Sequence, residues 1–262
     1  SYANRFLVCE GPSAPLAFAT ACGSAFAFGH QSDLINAAKG DTTAIANLAN
    51  YFRTAPAAMS TMLSNHDSFA GDRAMDQFNG DEAQYKLAAA TYLLQPGTPF
   101  IYYGEEIGMS AGAGLRGDPK LRTPMSWSHD AATAGFSTGK PYRILSSNAS
   151  TQNAASQMAD PNSIRSFYKT LLKLRNDYPS IARGSYEAAF VQRKVLGFQR
   201  WHGYEKTLVL INYGKADAQV QVDGLSASNN LVPLYPQNAA KDGSRQPLAV
   251  PGQGVRVFRL TP

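Results

Sequence analysis

Short apolar runs that end in polar residues alternate with helical patterns over the first two thirds of the chain. The runs that predict buried strands cover residues 5–9, 24–28, 58–63 and 100–103. Apolar residues at helical spacing predict helices over about 31–39, 42–52, 81–94 and 164–177. Asp41 or Thr42 is the expected cap of the second helix, and Asp160 with Pro161 that of the last. This alternation is typical of βα units in a parallel sheet, so the predicted fold class is α/β.

The pattern changes after Pro179, where short runs alternate between apolar and polar positions. These runs cover residues 186–191, 195–200, 207–212, 218–222, 230–234 and 255–260. Gly, Asn or Asp between the runs predicts a small antiparallel β-sandwich. We therefore predict two domains, residues 1–180 and 181–262, with a long loop over residues 110–160 of the first domain.

Charge is distributed unevenly along the 262 residues, which also favours two domains. Residues 1–160 carry 10 basic and 13 acidic side chains, a net charge of −3. Residues 161–262 carry 14 basic and 6 acidic side chains, a net charge of +8. The basic residues stand singly, with no block longer than Arg193-Lys194, so we predict a solvated surface and no nucleic-acid partner. No stretch approaches the roughly 20 apolar residues of a transmembrane helix, so no membrane insertion is predicted.

The two cysteines, Cys9 and Cys22, are too few for a disulfide framework. Cys9 lies in an apolar run, where a free thiol behaves as a small hydrophobic residue, and a single disulfide is the alternative that the sequence leaves open. The histidines show no metal-ligand spacing, so no metal site is predicted. Few cysteines and a charged fraction of 16% favour a secreted or periplasmic bacterial protein.

Several strings in this order and spacing carry a resemblance to a known family. They are residues 62–67 (MLSNHD), 97–109 (GTPFIYYGEEIGM), 122–127 (RTPMSW), 135–136 (GF) and 172–175 (LKLR). The chain resembles the α-amylase family of retaining glycoside hydrolases over essentially its whole length. Members are (β/α)₈ barrels followed by a β-sandwich, and this chain looks like strands five to eight of the barrel plus the sandwich. The resemblance implies activity on α-glucans such as starch or maltooligosaccharides.

The resemblance also implies roles for individual residues. Glu10 matches the general acid/base at the end of the fifth strand, and Asp67 matches the carboxylate that stabilises the transition state. His66 and Arg73 are the corresponding candidates for substrate binding, whereas Glu105 and Glu106 look structural, contacting backbone and a neighbouring arginine. The nucleophilic aspartate of the family belongs to a fourth-strand motif that these residues do not contain.

This absence leads to an expectation about the assembly. We expect the chain alone to be inactive, and to be completed by an N-terminal half of the same enzyme, held as a separate chain or cleaved segment, or by another copy. Open strand edges are an aggregation hazard, so completion is also expected to be needed for stability. Family members often carry calcium, and the resemblance implies that such an ion is held mainly by the N-terminal half.

The proposed chemistry needs closely placed carboxyl groups. A retaining glycosidase sets its two reacting carboxyls about 5–5.5 Å apart. In a barrel, side chains converge in this way at the carboxyl ends of neighbouring strands. Glu10 follows an apolar run, so we expect partial desolvation that raises its pKa and keeps it protonated. His66 and Asp67 follow a strand and are expected to bind adjacent sugar hydroxyls and favour positive charge at the ring.

The sequence leaves other functions open. A glucanotransferase or isomerase would use the same glycosyl-enzyme intermediate, and the sequence does not separate it from a hydrolase. A non-catalytic interaction subunit is a further alternative, against which the presence of both Glu10 and Asp67 argues. A binding function of the β domain would rest on aromatics such as Trp201 or Tyr235. The sequence does not distinguish α-1,4 from α-1,6 bond preference.

Overall fold

The computed structural model describes residues 5–225, 230–237 and 246–261. Its helices are α1 (Pro15–Cys22), α2 (His30–Ala38), α3 (Thr42–Thr54), α4 (Ala74–Gln77), α5 (Glu82–Leu94), α6 (Ala154–Gln157), α7 (Ile164–Asp177) and α8 (Pro179–Arg183). Its strands are β1 (Ser60–Thr61), β2 (Thr98–Pro99), β3 (Ser185–Gln192), β4 (Val195–His202), β5 (Glu205–Asn212), β6 (Ala218–Val220), β7 (Asn230–Tyr235), β8 (Leu248–Val250) and β9 (Val255–Thr261). Short 3₁₀ helices cover Ser68–Ala70, Glu105–Ile107 and Asp118–Leu121.

Side-chain caps set the starts of the longer helices. Asp41 accepts a hydrogen bond from the backbone of Ala44 at 2.8 Å and begins α3, which confirms one of the two predicted caps. Asp81 caps α5 in the same way, at the predicted position. The cap of α7 is Ser163 rather than the predicted Asp160 with Pro161, because the Ser163 hydroxyl accepts from the N–H three residues later.

Four backbone segments pair in parallel, in chain order. Cys9 bridges Ala25, Phe26 bridges Ser60, and β1 pairs with β2 through Ser60 opposite Thr98. Helices α2 and α3 connect the second segment to the third, and α4 and α5 connect the third to the fourth. This is the parallel βα arrangement that the alternation of apolar runs and helical patterns predicts.

The first and last of these segments differ from their predicted bounds. Only Cys9 of the apolar run 5–9 pairs with another segment, and Phe6 and Leu7 are 57% and 52% exposed. The predicted buried strand is therefore wrong for Phe6 and Leu7, because apolar side chains bury only where a neighbouring surface covers them. The fourth segment pairs at Thr98–Pro99, just before the predicted run 100–103. Helix α1, between the first two segments, was not predicted.

The C-terminal part forms two antiparallel sheets. β3, β4, β5, β9 and β7 form one sheet in that order, and β6 pairs with β8, a strand that the sequence pattern missed. One face of the larger sheet packs against the smaller sheet, with Leu208 and Val220 among the buried residues between them. The opposite face joins the helical core, where Phe198 and Val209 belong to the same buried cluster as Leu171 of α7. The predicted domain division near residue 180 stays a prediction.

Residues 110–160 form the predicted long loop, with only a 3₁₀ helix and α6 inside it. The side chain of Asn148 binds the backbone at the start of this loop. Its carbonyl oxygen accepts from the Ser110 N–H, and its NH₂ group donates to the carbonyl oxygen of Gly108, both at 2.9 Å. Such side-chain bonds order a loop that lacks regular backbone pairing. Over the part of the chain that the structure describes, no helix has the length and hydropathy to cross a membrane.

Candidate active site

Asp67 lies in a polar turn that follows β1. The carbonyl oxygen of the Asn65 side chain accepts from the backbone N–H of Asp67 at 2.8 Å, which forms a local Asx turn. His66 Nε2 lies 3.2 Å from Asp67 Oδ2, and Arg122 Nη2 donates to Asp67 Oδ1 at 2.7 Å. The Asp67 side chain is still 22% exposed, so the carboxylate is oriented by two neighbours and open to a ligand.

Arg122 contacts Asp67 from the long loop, and sequence reasoning did not propose it as a site residue. Its Nε donates to the carbonyl oxygen of His66, and its Nη2 lies 2.9 Å from Asp118 Oδ2. Ser68 donates to Asp118 through both its N–H and its hydroxyl, and these bonds lower the pKa of the Asp118 carboxyl. Arg122 thus joins the long loop to the Asp67 turn. In the sequence, the feature that could have indicated Arg122 is its position at the start of the string RTPMSW (residues 122–127).

Glu10 occupies an exposed position directly after Cys9, at the end of the first parallel segment. The expected partial desolvation of its carboxyl is not present, because the preceding residues Phe6 and Leu7 themselves lie at the surface. Apolar residues next to a carboxyl in the sequence remove water from it only if other parts of the protein bury those residues. The role of Glu10 as general acid/base stays a prediction.

Arg73 does not lie where a substrate contact was predicted. Its side chain is 1% exposed, and its two terminal nitrogens donate to the carbonyl oxygens of Tyr103 and Leu121 at 2.5 and 2.7 Å. Its guanidinium carbon lies 4.6 Å from the ring centroids of both Tyr102 and Tyr103, within cation–π distance. In this structure Arg73 is a buried positioning residue that ties the turn after Asp67 to the segment after β2.

Glu105, on the 3₁₀ helix that follows β2, has a buried carboxyl group. Glu105 Oε1 accepts from the hydroxyls of Tyr92 and Tyr168 at 2.6 and 2.9 Å, and the hydroxyl of Ser64 lies 3.4 Å from Oε2. Burial raises the pKa of Glu105 from 4.5 to about 7, although the tyrosine hydrogen bonds act in the opposite direction. The expected contact of Glu105 with an arginine is wrong, since its carboxylate contacts the hydroxyls of Tyr92, Tyr168 and Ser64; its structural role stays a prediction.

The residues that the structure describes offer no fit for a metal. Among them, no three His, Cys, Asp or Glu side chains are grouped so that they could hold an ion. Calcium takes roughly 6–8 oxygen ligands, many of them carboxylates, and the described residues do not group three acidic side chains that could hold it. Cys9 and Cys22, whose state the sequence left open, form a disulfide.

Comparison with known proteins identifies the family. The family described as "Alpha amylase, catalytic domain" matches residues 23–184, which is more than half of the chain. The chain belongs to the α-amylase family. Asp67, His66 and Arg122 fall within the matched residues, whereas Glu10 precedes them.

Individual relatives in the α-amylase family differ in their named activities. The chain is 36% identical over 168 residues to the α-amylase SusG of Bacteroides thetaiotaomicron, covering 61% of this chain and 23% of that protein. It is 36% identical over 172 residues to a trehalose synthase of Thermus thermophilus, covering 62% of this chain and 18% of that protein. It is 30% identical over 195 residues to an α-glucosidase of Pediococcus pentosaceus, covering 59% of this chain and 34% of that protein.

Solved structures support the fold. An isomaltulose synthase from Erwinia rhapontici matches with a TM-score of 0.70 at 22% identity, over 91% of this chain and 51% of that one. The trehalulose synthase MutB from Pseudomonas mesoacidophila matches with a TM-score of 0.66 at 24% identity, over 84% of this chain and 46% of that one. The chain thus shares the α/β fold of the (β/α)₈ barrel proteins of the α-amylase family, and spans about half the length of these structures.

Proposed function

We propose that this chain is part of a retaining glycoside hydrolase that acts on α-glucans, in which Asp67 stabilises the transition state. The observation that carries the proposal is the arrangement at Asp67, whose two carboxylate oxygens face His66 and Arg122 while the group stays open to a ligand. A carboxylate so oriented needs no reorganisation when positive charge develops on the sugar ring. His66, which is adjacent and 56% exposed on its side chain, binds a sugar hydroxyl in this proposal.

Glu10 is the general acid/base of the proposed reaction. Its place directly after Cys9 supports this role, because Cys9 belongs to the first parallel segment and carboxyl ends of parallel strands share one edge of a sheet. As the acid, Glu10 protonates the leaving glycosidic oxygen and then takes a proton from the incoming water. The exposed Glu10 carboxyl needs covering by further protein to become desolvated enough for that task.

The nucleophile and that covering surface come, in this proposal, from protein beyond these 262 residues. The four parallel segments then correspond to the second half of a (β/α)₈ barrel, and the two antiparallel sheets to the β-sandwich that follows it. The exposed Phe6 and the row of Phe26 and Phe100, with ring centroids 4.9 Å apart, support a partner surface at this side. The partner is an N-terminal half of the same enzyme, continuous or held as a separate segment.

A glucanotransferase or isomerase is the second candidate. The 36% identity to a trehalose synthase over 172 residues favours it, because that match is equal in identity to the match to an α-amylase and four residues longer. In such an enzyme a sugar hydroxyl, rather than water, attacks the glycosyl-enzyme intermediate. Product analysis separates the two functions: a hydrolase releases reducing sugars in proportion to bonds cleaved, and a transferase or isomerase conserves the number of glycosidic bonds.

We also propose a secreted or periplasmic bacterial location. The Cys9–Cys22 disulfide supports it, since disulfides form and persist in oxidising compartments. Any calcium ion is held, in this proposal, mainly by the N-terminal half of the enzyme.

The test of the proposed function uses the intact protein that contains these residues. Glu10→Gln should lower turnover of maltotriose or isomaltotriose by about 10²–10⁴-fold, the usual contribution of a general acid. It should lower turnover of an activated aryl α-glucoside much less, because a good leaving group needs little protonation. Azide should partly restore that variant by attacking the intermediate. Equal losses on both substrates would contradict the role of Glu10.

Asp67→Asn is the companion variant, since it keeps the shape of the side chain and removes its charge. We expect kcat to fall by at least about 10²-fold with the fold intact, measured by circular dichroism. Asp130→Asn is the matched control, because Asp130 is an exposed carboxylate that caps a turn of the long loop. A variant Asp67→Asn with most of the wild-type activity would overturn the proposed site.

A further inference from the structure

One half of the Cys9–Cys22 disulfide directly precedes the proposed general acid/base in the chain. The backbone of Cys9 is fixed in the parallel arrangement: its N–H donates to the carbonyl oxygen of Ser24 at 2.9 Å, and its carbonyl oxygen accepts from the N–H of Phe26 at 3.1 Å. Glu10, the next residue, lies outside this backbone pairing. The disulfide therefore lies at the point where the chain leaves the sheet and carries the Glu10 carboxyl.

The Glu10 carboxyl takes its position from the backbone on either side of it. None of the ion pairs among the described residues includes Glu10, and this residue is exposed. Its neighbour on one side is Cys9, and its neighbour on the other side is Gly11, which is buried. A shift of either neighbour moves the carboxyl, because no ion pair among the described residues holds the side chain in place.

Helix α1 holds Gly11 from above its backbone. A Cβ atom at Gly11 would lie 2.0 Å from Cδ2 of Phe18, so the Phe18 ring packs directly on the Gly11 backbone and leaves room for no side chain there. The carbonyl oxygen of Gly11 accepts from the N–H of Ala14, the residue before α1, at 3.3 Å. The position of α1 therefore sets the position of the backbone directly after Glu10.

The disulfide fixes the other end of α1. Cys22 is the last residue of this helix, and its Cα lies 6.0 Å from that of Cys9. Ala19 is the one buried residue among the eight of α1, so the helix has little apolar contact of its own with the rest of the protein. A helix this short is not stable by itself. Backbone pairing holds the chain after α1, at Ser24, whereas the disulfide holds the helix.

We propose that Cys9 and Cys22 are positioning residues for Glu10, because their disulfide fixes α1 and α1 fixes the backbone next to the acid. This inference rests on the proposed function. A general acid acts only within hydrogen-bond distance of the oxygen that it protonates. A displacement of about 1 Å can cost roughly 10²-fold in rate. With the disulfide open, residues 10–21 form a loop that keeps the Phe18 contact only part of the time, and the Glu10 carboxyl loses its fixed place.

The test opens the disulfide in the intact protein and compares two leaving groups. Dithiothreitol becomes a cyclic disulfide, and Cys9 and Cys22 take up its two electrons and two protons as free thiols. We expect kcat for maltotriose or isomaltotriose to fall by about tenfold. We expect kcat for an activated aryl α-glucoside to change by less than about twofold, because a good leaving group needs little protonation. Reoxidation should restore the lost activity, and a variant with serine at both positions should show the same selective loss and no response to the reagent.

A second pair of variants leaves the disulfide intact. Phe18→Ala removes the ring that packs on Gly11, and it should also lower turnover of the trisaccharide more than that of the aryl glucoside. Leu16→Ala is the matched control, because Leu16 lies on the same helix and is 44% exposed, close to the 40% of Phe18. In Glu10→Gln the acid is already absent, so dithiothreitol should lower trisaccharide turnover no further.

Each outcome of these measurements decides the inference. A selective loss on the trisaccharide in the reduced protein and in Phe18→Ala, but not in Leu16→Ala, supports it. Equal losses on both substrates would show a purely structural disulfide and overturn it, as would unchanged activity after reduction, while the proposed function stands in both cases. A further loss on reduction of Glu10→Gln would also overturn it, because the disulfide would then act through another group. Equal losses on both substrates in untreated Glu10→Gln would instead overturn the proposed role of Glu10, and the inference with it.

Discussion

The buried carboxyl of Glu105 makes the stability of this protein depend on pH in a way that Glu105→Gln should remove. Glu105 is 2% exposed, and its hydrogen-bond donors are the hydroxyls of Tyr92, Tyr168 and Ser64. None of the ion pairs among the described residues includes it. Its charged form therefore loses hydration without gaining a cation, and desolvation is the largest cause of its raised pKa.

The size of the effect follows from the pKa in the two states. The pKa of Glu105 rises from 4.5 to about 7 on folding, and each pKa unit corresponds to about 1.4 kcal/mol. The folded protein thus binds a proton more tightly than the unfolded chain does. Stability falls by about 3 kcal/mol as the pH rises from about 4.5 to about 7, and this loss is complete above both pKa values. Glutamine carries no charge at either pH and lacks this loss.

The assay is urea unfolding of the intact protein, followed by tryptophan fluorescence between pH 4 and pH 9. The quantity of interest is the free energy of unfolding of Glu105→Gln minus that of wild type. We expect this difference to move by about 3 kcal/mol in favour of the variant between the two ends of the range. Glu82→Gln controls for the change in net charge, since Glu82 is an exposed carboxylate on α5. A difference that stays constant over the range would refute the burial argument.

Three further substitutions test the roles assigned to polar residues. Arg73→Gln should lower the melting temperature by the equivalent of about 1–3 kcal/mol, because the carbonyl oxygen of Tyr103 loses its Arg73 donor and that of Leu121 keeps only the hydroxyl of Tyr102. Thermal unfolding checks this, and an unaltered melting temperature with a raised KM would instead restore a substrate role. Arg122→Lys should lower kcat/KM, because loss of the bond to Asp67 misaligns the carboxylate, and should change stability little, because exposed ion pairs contribute about 0–1 kcal/mol. Enzyme kinetics and unfolding of this variant are measured together. Equal losses of activity and of stability would contradict this role. Replacing the Cys9–Cys22 disulfide by two serines should destabilise the region around α1 by up to about 3 kcal/mol. Amide hydrogen exchange measures this change, and an unchanged exchange rate would contradict a stabilising role of the disulfide.

Local chemistry explains the elements that the sequence predicted well. Asp41 and Asp81 cap α3 and α5 because a carboxylate three residues before a backbone N–H can accept from it whatever lies elsewhere in the chain. The alternating runs after Pro179 became antiparallel strands, since each strand buries one face and the period of two specifies which residues lie on it. The strings around Asp67 likewise sufficed to indicate the family.

Long-range contacts account for what the sequence alone could not predict. Arg122 and Asp67 are 55 residues apart, and no local pattern indicates that the long loop returns to the turn after β1. The burial of Arg73 could not be predicted from the sequence either. An arginine near a candidate site is buried only if the tertiary fold brings carbonyl groups to it, as it does here.

The sequence by itself determined most of the helices and C-terminal strands, although not α1 or β8, and where the candidate carboxylates Glu10 and Asp67 stand along the chain. Only the tertiary structure decided which side chains are covered. The apolar run before Glu10 predicted a buried strand, yet Phe6 and Leu7 are exposed, whereas the charged Arg73 and Glu105 are buried. Secondary structure follows from interactions between residues close in sequence, and burial, with the pKa values that depend on it, follows from which distant surfaces meet.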